Sequence, residues 1–181
     1  MKYLMTYRVF EATQHETNKD LPSISELTIV SIKTIEGKNK WDYPKDKLVH
    51  MVFDLGGWEE FSSANIPKFY ENIKKYLPSM NAHRCSVGRK GGFFSRVKGG
   101  TWLGHIIEHI ALELQTLAGD DTGFGRTRGT GKKGEYNVIF NYENKKMGIS
   151  AAKEAVEVAK KLILNQDPEI KSVVKKLKAK K

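Results

Sequence analysis

His105, Glu108 and His109 stand in the order His-x-x-Glu-His within the segment TWLGHIIEHIALELQTLAG, Thr101–Gly119. Two imidazoles four residues apart on a helix face the same way, and the carboxylate between them can activate a water on the cation they hold. That is the chemistry of the inverted zinc-hydrolase signature. A tetrahedral catalytic site takes at least three protein ligands and keeps one open position, so zinc or another divalent metal needs a further donor. His83 is the candidate third ligand, with the sulfur of Cys85 as a softer substitute and Glu113, one turn past His109, as another. The competing reading is polar surface: a His pair beside a Glu on an exposed helix face commonly does nothing more.

The helix itself follows from its apolar positions. At about 100° per residue, Leu103, Ile106, Ile107, Ile110, Leu114 and Leu117 fall on one stripe suited to a core. His105 and His109 fall on the opposite side, with Glu108 on the shoulder. Thr101 reads as the N-cap and Gly119 as the residue that ends the helix.

Two glycine-rich basic stretches flank this helix, Arg84–Lys98 and Arg126–Lys133. Neither cradles a nucleotide by sequence. Gly131-Lys132 is followed by Lys133, Arg126 stands where a P-loop has its first glycine, and the order is helix-loop-strand rather than the reverse. Arg126 and Arg128, one residue apart, can fork onto carboxylates. They can equally satisfy the last carbonyls of the helix or pair with Asp120 and Asp121. His15 and His50 have no partner at ligand spacing, and nothing supports a Ser or Cys triad.

Around these stretches, period-2 patterns predict strands at Tyr3–Phe10, Leu27–Ile35, Leu48–Leu55 and Tyr136–Tyr142. Helical spacing predicts helices at Ala64–Leu77, capped by Ser63 with Pro67 in its first turn, and at Gly148–Leu164. A short terminal helix begins near Asp167-Pro168. Glu11–Ser25, Glu36–Lys47, Met80–Gly100 and Gly119–Glu135 read as loops. With strands mostly ahead of helices and no βαβ rhythm, the fold class is α+β: a mixed, largely antiparallel sheet with helices packed mainly on one face.

Composition narrows the setting. The net charge of +10 invites a nucleic-acid reading, but six lysines lie in Lys171–Lys181, and without them the remainder carries about +4. That leaves local anion binding rather than a long duplex track. No apolar run approaches the ~20 residues of a membrane span. The first residues lack a signal-peptide pattern, and the single cysteine, Cys85, fits a reducing compartment. The expected location is the cytoplasm, with no membrane partner.

Taken in order, NIPKFYENIKKYL (Asn65–Leu77), HRCSVGRKGGFF (His83–Phe94), GTWLGHIIEHIALELQTLAG (Gly100–Gly119) and GFGRTR (Gly123–Arg128) resemble the N-terminal domain of cyanophycin synthetase. Gly37-x-Asn39-x-Trp41 and FDLG (Phe53–Gly56) extend the likeness upstream. The resemblance divides the chain into an extension (1–26), the domain (27–166) and a basic tail (167–181). It implies binding of cyanophycin, a poly-aspartate chain bearing arginine on each side-chain carboxyl, or of a similar Asp/Arg polymer, and, as in some members of the family, hydrolytic clipping of it. By the same likeness His105 and His109 are metal-ligand candidates, Glu108 is the base, and Arg126 and Arg128 contact polymer. His83 stays the candidate third ligand from its place before the helix, and Arg89 in the HRCSVGRKGGFF segment is a further substrate-binding candidate. The expectation is a free-standing relative without the ATP-grasp and Mur-ligase-like domains, hence no nucleotide cofactor and no ATP-dependent ligation of its own. One departure bears on turnover: the family pattern has a glutamate before the histidine of the HRCS segment, where this chain has Ala82. The non-catalytic alternative is an accessory module for a separate synthetase.

Overall fold

The segment LVHMVFD carries large apolar side chains on both of its faces, and it becomes the strand on which the others are laid. In the computed structural model, which describes residues 20–35 and 47–181, this is β2 (Leu48–Asp54), paired with β1 (Thr28–Ile35) on one side. On its other side lies β4 (Glu135–Asn141), which in turn pairs with β3 (Gly125–Gly129). The order is β1-β2-β4-β3 and every pairing is antiparallel. The α+β architecture is therefore as expected, without the parallel pairing that "mixed" implied among the described residues. The expected strand Tyr3–Phe10 and most of the loop Glu36–Lys47 lie outside them.

One sheet face carries Val49, Met51, Phe53, Val138 and Phe140 into the core, all fully buried. Against it pack two long helices, α3 (Leu103–Ala118) and α4 (Lys145–Ile163). Asn144 caps α4 by accepting from the Met147 N–H at 3.1 Å, satisfying one of the helix's orphan donors. The alanines Ala151, Ala152, Ala155 and Ala159 are buried, and their small side chains allow the two helices to lie close together.

Four local expectations are corrected. The helix predicted from Ala64 begins only at Phe69, as α1 (Phe69–Tyr76). Ser62, not Ser63, caps a separate 3-10 turn at Ser63–Asn65, and Ile66 is extended (φ −93°, ψ 115°), the conformation that a following proline imposes. The stretch read as a loop before the central helix contains α2 (Gly92–Gly99), which buries Phe93, Phe94 and Val97. The loop after it contains β3. Last, the N-cap of α3 is Trp102, whose side chain makes no capping bond; Thr101 is occupied elsewhere.

The lysine-rich terminus forms α5 (Ile170–Lys178), packed on α3 and α4 through buried Leu177. It is a docked helix rather than a frayed end: Lys176 pairs with Glu154, and the Lys181 ammonium lies 3.0 Å from Asp120 Oδ1 and 2.9 Å from the Gly119 carbonyl. No helix among the described residues is long and apolar enough to cross a membrane.

Candidate metal and polymer site

The side of α3 that carries the motif, which the competing reading made polar surface, is largely buried. Glu108, His109 and Glu113 are 4%, 7% and 3% exposed, because α2, the preceding turns and β3 close over it. Burying a carboxylate or imidazole without partners costs several kcal/mol, so each should have a dedicated contact, and each does.

His105 and His109 stand one turn apart with ring centres 4.8 Å apart and nearly perpendicular planes. Cys85 reaches them from the 3-10 turn Cys85–Val87, its Sγ 3.1 Å from His105 Nε2. One donor atom from each of Cys85, His105 and His109 lies within 4.8 Å of the other two. Cys85 holds φ +53°, an uncommon conformation for a residue with a side chain. On the far side of the His105 ring, Nδ1 lies 3.0 Å from Thr101 Oγ1. With the Nδ1 proton donated to that hydroxyl, the Nε2 lone pair faces the sulfur, which is how metal-bound histidines are usually oriented. Phe93 of α2 walls the cluster, 4.6 Å from the His109 ring centre.

His83 belongs to a second set of contacts. Its Nδ1 lies 2.9 Å from His109 Nδ1, and its Nε2 2.8 Å from Glu113 Oε2. Glu113 also accepts from the Ser79 hydroxyl. Ser79, Glu113, His83 and His109 thus form one hydrogen-bonded chain, in which His83 braces His109. Burial alone would raise Glu113, but the bonds from His83 and Ser79 outweigh it and hold the carboxyl below its ordinary range.

Electrostatics favour neutral imidazoles. Burial, with Arg96 nearby, lowers His105 to about 4. Burial and the neighbouring His105 and His83 keep His109 well below 6.5. Neutral imidazole and thiolate are the forms that ligate, and one sulfur with two nitrogens suits zinc. The donor set fits the metal that the sequence motif implies.

Glu108 turns the other way, under β3. Thr127 Oγ1 donates to its Oε2 at 2.7 Å, and Gly125 leaves the room it occupies. Burial raises Glu108 to about 8, against the opposing pull of the Thr127 bond and the Arg126 charge. Arg126 and Arg128 sit on β3, on the sheet face opposite Thr127 by strand alternation, and the Arg126 guanidinium carbon lies 5.9 Å from the Phe124 ring centre. Asp120, one of the carboxylates after the helix, takes Lys181 and the Asn144 N–H. Arg89 is elsewhere: with Tyr70, Lys90, Phe94 and Lys98 it lines an open hollow of about 460 Å³, whereas Phe93 is the α2 residue against the histidines.

Sequence reasoning missed Thr101 as a partner of His105, although the two are four residues apart ahead of the motif. It also missed Thr127, Gly125, Ser79 and Phe93, whose roles depend on contacts distant in sequence.

Residues 50–164 match the family described as the cyanophycin synthase-like N-terminal domain. The cyanophycin synthetase of Synechocystis sp. is 42% identical over 151 residues, 83% of this chain and 17% of the relative. That of Geminocystis herdmanii is 46% identical over 137 residues, 76% and 16% of the two chains. That of Trichormus variabilis is 44% identical over 137 residues, 76% and 15%. The chain thus spans about one sixth of the length of these curated relatives. The matched span takes in Cys85, His105, Glu108, His109 and all of β3, so the chain belongs to the cyanophycin synthetase N-terminal domain family.

Proposed function

We propose that this chain binds cyanophycin or a similar Asp/Arg polymer and hydrolyses an amide bond in it. The observation that carries the reading is the convergence of Cys85, His105 and His109 within 4.8 Å, on a helix whose third polar residue, Glu108, adjoins an arginine-bearing strand. A zinc or other divalent ion held by those three donors would supply Lewis-acid activation of water at near-neutral pH.

The remaining work falls to the protein's own groups. Thr101 orients the His105 ring. His83, fixed by Glu113, orients that of His109. Glu108, raised to about 8 by burial, holds its proton at neutral pH and is turned towards Thr127, so its role as general base requires it to lose that proton and swing towards the imidazoles. Arg126 and Arg128 attract and align the free carboxylates of the polymer. Phe93 keeps the imidazoles dry on one side.

A second reading is favoured by Ala82, which is exposed at the end of the 3-10 turn Pro78–Ala82 where the family pattern has a glutamate. Without that carboxylate the chain acts as a polymer-binding accessory to a separate synthetase. Incubation with purified polymer separates the two. Chelator-sensitive release of short fragments, abolished by Glu108→Gln, is the outcome expected of the hydrolase. Co-sedimentation with polymer and no fragments, with or without added zinc, supports the accessory module.

A further inference from the structure

β3 is an outer strand of the sheet, and among the described residues no strand pairs with its outward edge. The Thr130 N–H donates to the Glu135 carbonyl and the Asn141 N–H to the Phe124 carbonyl, both at 3.0 Å. In an antiparallel ladder every second residue bonds to the neighbouring strand. Phe124, Arg126, Arg128 and Thr130 therefore bond inward to β4. Gly125, Thr127 and Gly129 direct their N–H and C=O groups away from the sheet.

Natural edges are usually blunted by proline, an inward-pointing lysine or a bulge. This one has a regular register over all five residues, and glycine at two of the three outward positions. We infer that the outer edge of β3 receives the backbone of an extended, acid-bearing peptide chain as an added strand, so that the polymer is gripped through its amides as well as its charges. This rests on the polymer-binding reading above.

Three observations converge on that occupant. First, location: β3 lies over Glu108 through Thr127 and Gly125. Around α3 from Glu108, His105 is about 60° on and His109 about 40° further. A strand added about 4.8 Å outside β3 continues the sheet beyond Thr127, next to the buried Glu108. Second, spacing: Arg126 and Arg128 are two residues apart on one face, about 6.6 Å along the strand. Alternate side groups of a paired strand repeat at the same interval, so a chain with an acidic group on every unit stays in step with both guanidiniums. Third, backbone access: a Cβ added at Gly129 would meet nothing within 4 Å, which leaves that outward amide approachable. Strand addition of this kind takes its affinity from main-chain hydrogen bonds and its specificity from alternate side groups.

The test uses the full chain and a synthetic four-unit segment of arginine-bearing poly-aspartate, alongside the same segment with alternate backbone amides N-methylated. Methylation leaves every charge in place and removes the donors a strand needs. The expected result is binding of the unmodified segment and a loss of about tenfold or more on methylation. Gly129→Pro, which deletes one outward N–H and keeps the inward bonds of Arg128 and Thr130, should weaken binding severalfold. Gly129→Ala, which keeps the N–H, should recover most of it. Equal affinity for both segments by the wild-type chain overturns the inference while leaving polymer binding intact. Failure of both segments to bind overturns the polymer reading and this one together. Concentration-dependent dimerisation that Gly129→Pro abolishes and the segment does not compete would give the edge to a second copy of the chain, and would also overturn it.

Discussion

Gly125 and Glu108 share a space that only one of them can fill: a Cβ at position 125 would lie 2.5 Å from Glu108 Oε1 and 2.6 Å from its Cγ. The carboxyl is thereby lodged beneath β3 by the absence of a methyl group 17 residues later in the chain.

Gly125→Ala should therefore destabilise the fold by about 1–3 kcal/mol, as overpacking does. In a Glu108→Ala background the same change should cost far less, since contacting residues are not additive. Urea denaturation of the four variants measures the coupling. Equal penalties in both backgrounds would show that the clash is relieved by β3 moving rather than by Glu108.

The metal-stripped protein should be most stable near pH 6.5. Glu108 is raised from 4.5 to about 8, so the folded state holds a proton that the unfolded state has lost. Its contribution is full below 4.5 and fades as pH rises towards 8. His105, lowered from 6.5 to about 4, and His109, lowered in the same sense, act oppositely: their contribution is present above 6.5 and is lost on acidification. Above 6.5 only the Glu108 decline remains, at up to about 1.4 kcal/mol per pH unit. Glu108→Gln, which mimics the protonated acid, should flatten that alkaline limb and steepen the rise between pH 4.5 and 6.5, where the Glu108 decline otherwise offsets part of the histidine gain. Denaturation midpoints in chelator from about pH 5 to 9 provide the check.

Cobalt(II) in place of zinc reports on the ligands directly. The wild-type chain should show a near-ultraviolet sulfur-to-cobalt band at one equivalent, absent in Cys85→Ser. His105→Ala and His109→Ala should each abolish tight binding. Thr101→Val should weaken it about 10- to 100-fold, the usual cost of removing an outer-shell partner. His83→Ala should keep the band, because His83 is held by Glu113 at 2.8 Å. If it abolishes the band, His83 is a ligand.

Leu177→Asp should release α5. Leu177 is fully buried, and placing a charge there removes the apolar anchor of a helix whose other faces are lysine-rich. A loss of at least 2 kcal/mol is expected, with hydrogen exchange at residues 170–178 rising ahead of that in α3. Unchanged protection would mean that the ion pairs of Lys176 and Lys181 hold the helix without Leu177.

What the sequence made legible was set by periodicity. β1, β2, β4 and α4 have alternating or helical apolar patterns long enough to be read, and Gly119 does end α3, with φ +94°. β3 could not be read that way. Its five residues are Gly-Arg-Thr-Arg-Gly, and the side chain it sets against the interior is a threonine whose partner is a carboxyl. α2 is hidden between two glycine pairs that read as loop, and only Phe93, Phe94 and Val97 betray it. The His-x-x-Glu-His triplet was visible from spacing alone. That its carboxylate turns away from its imidazoles, and that Glu113 braces His83, depends on elements that meet only in the folded chain.

Ser63 completes the account of how α2 and α3 are joined. Its hydroxyl donates to the Val97 carbonyl at 2.8 Å and accepts from the Thr101 N–H at 2.9 Å, while its own N–H donates to the Thr101 carbonyl at 2.9 Å. Gly99-Gly100, which by composition should be a swivel, is instead welded from outside by a residue far upstream. The angle at which Phe93 meets the two imidazoles is thus inherited from a serine that touches none of them, and loosening that weld would blur the cluster without altering any of its members.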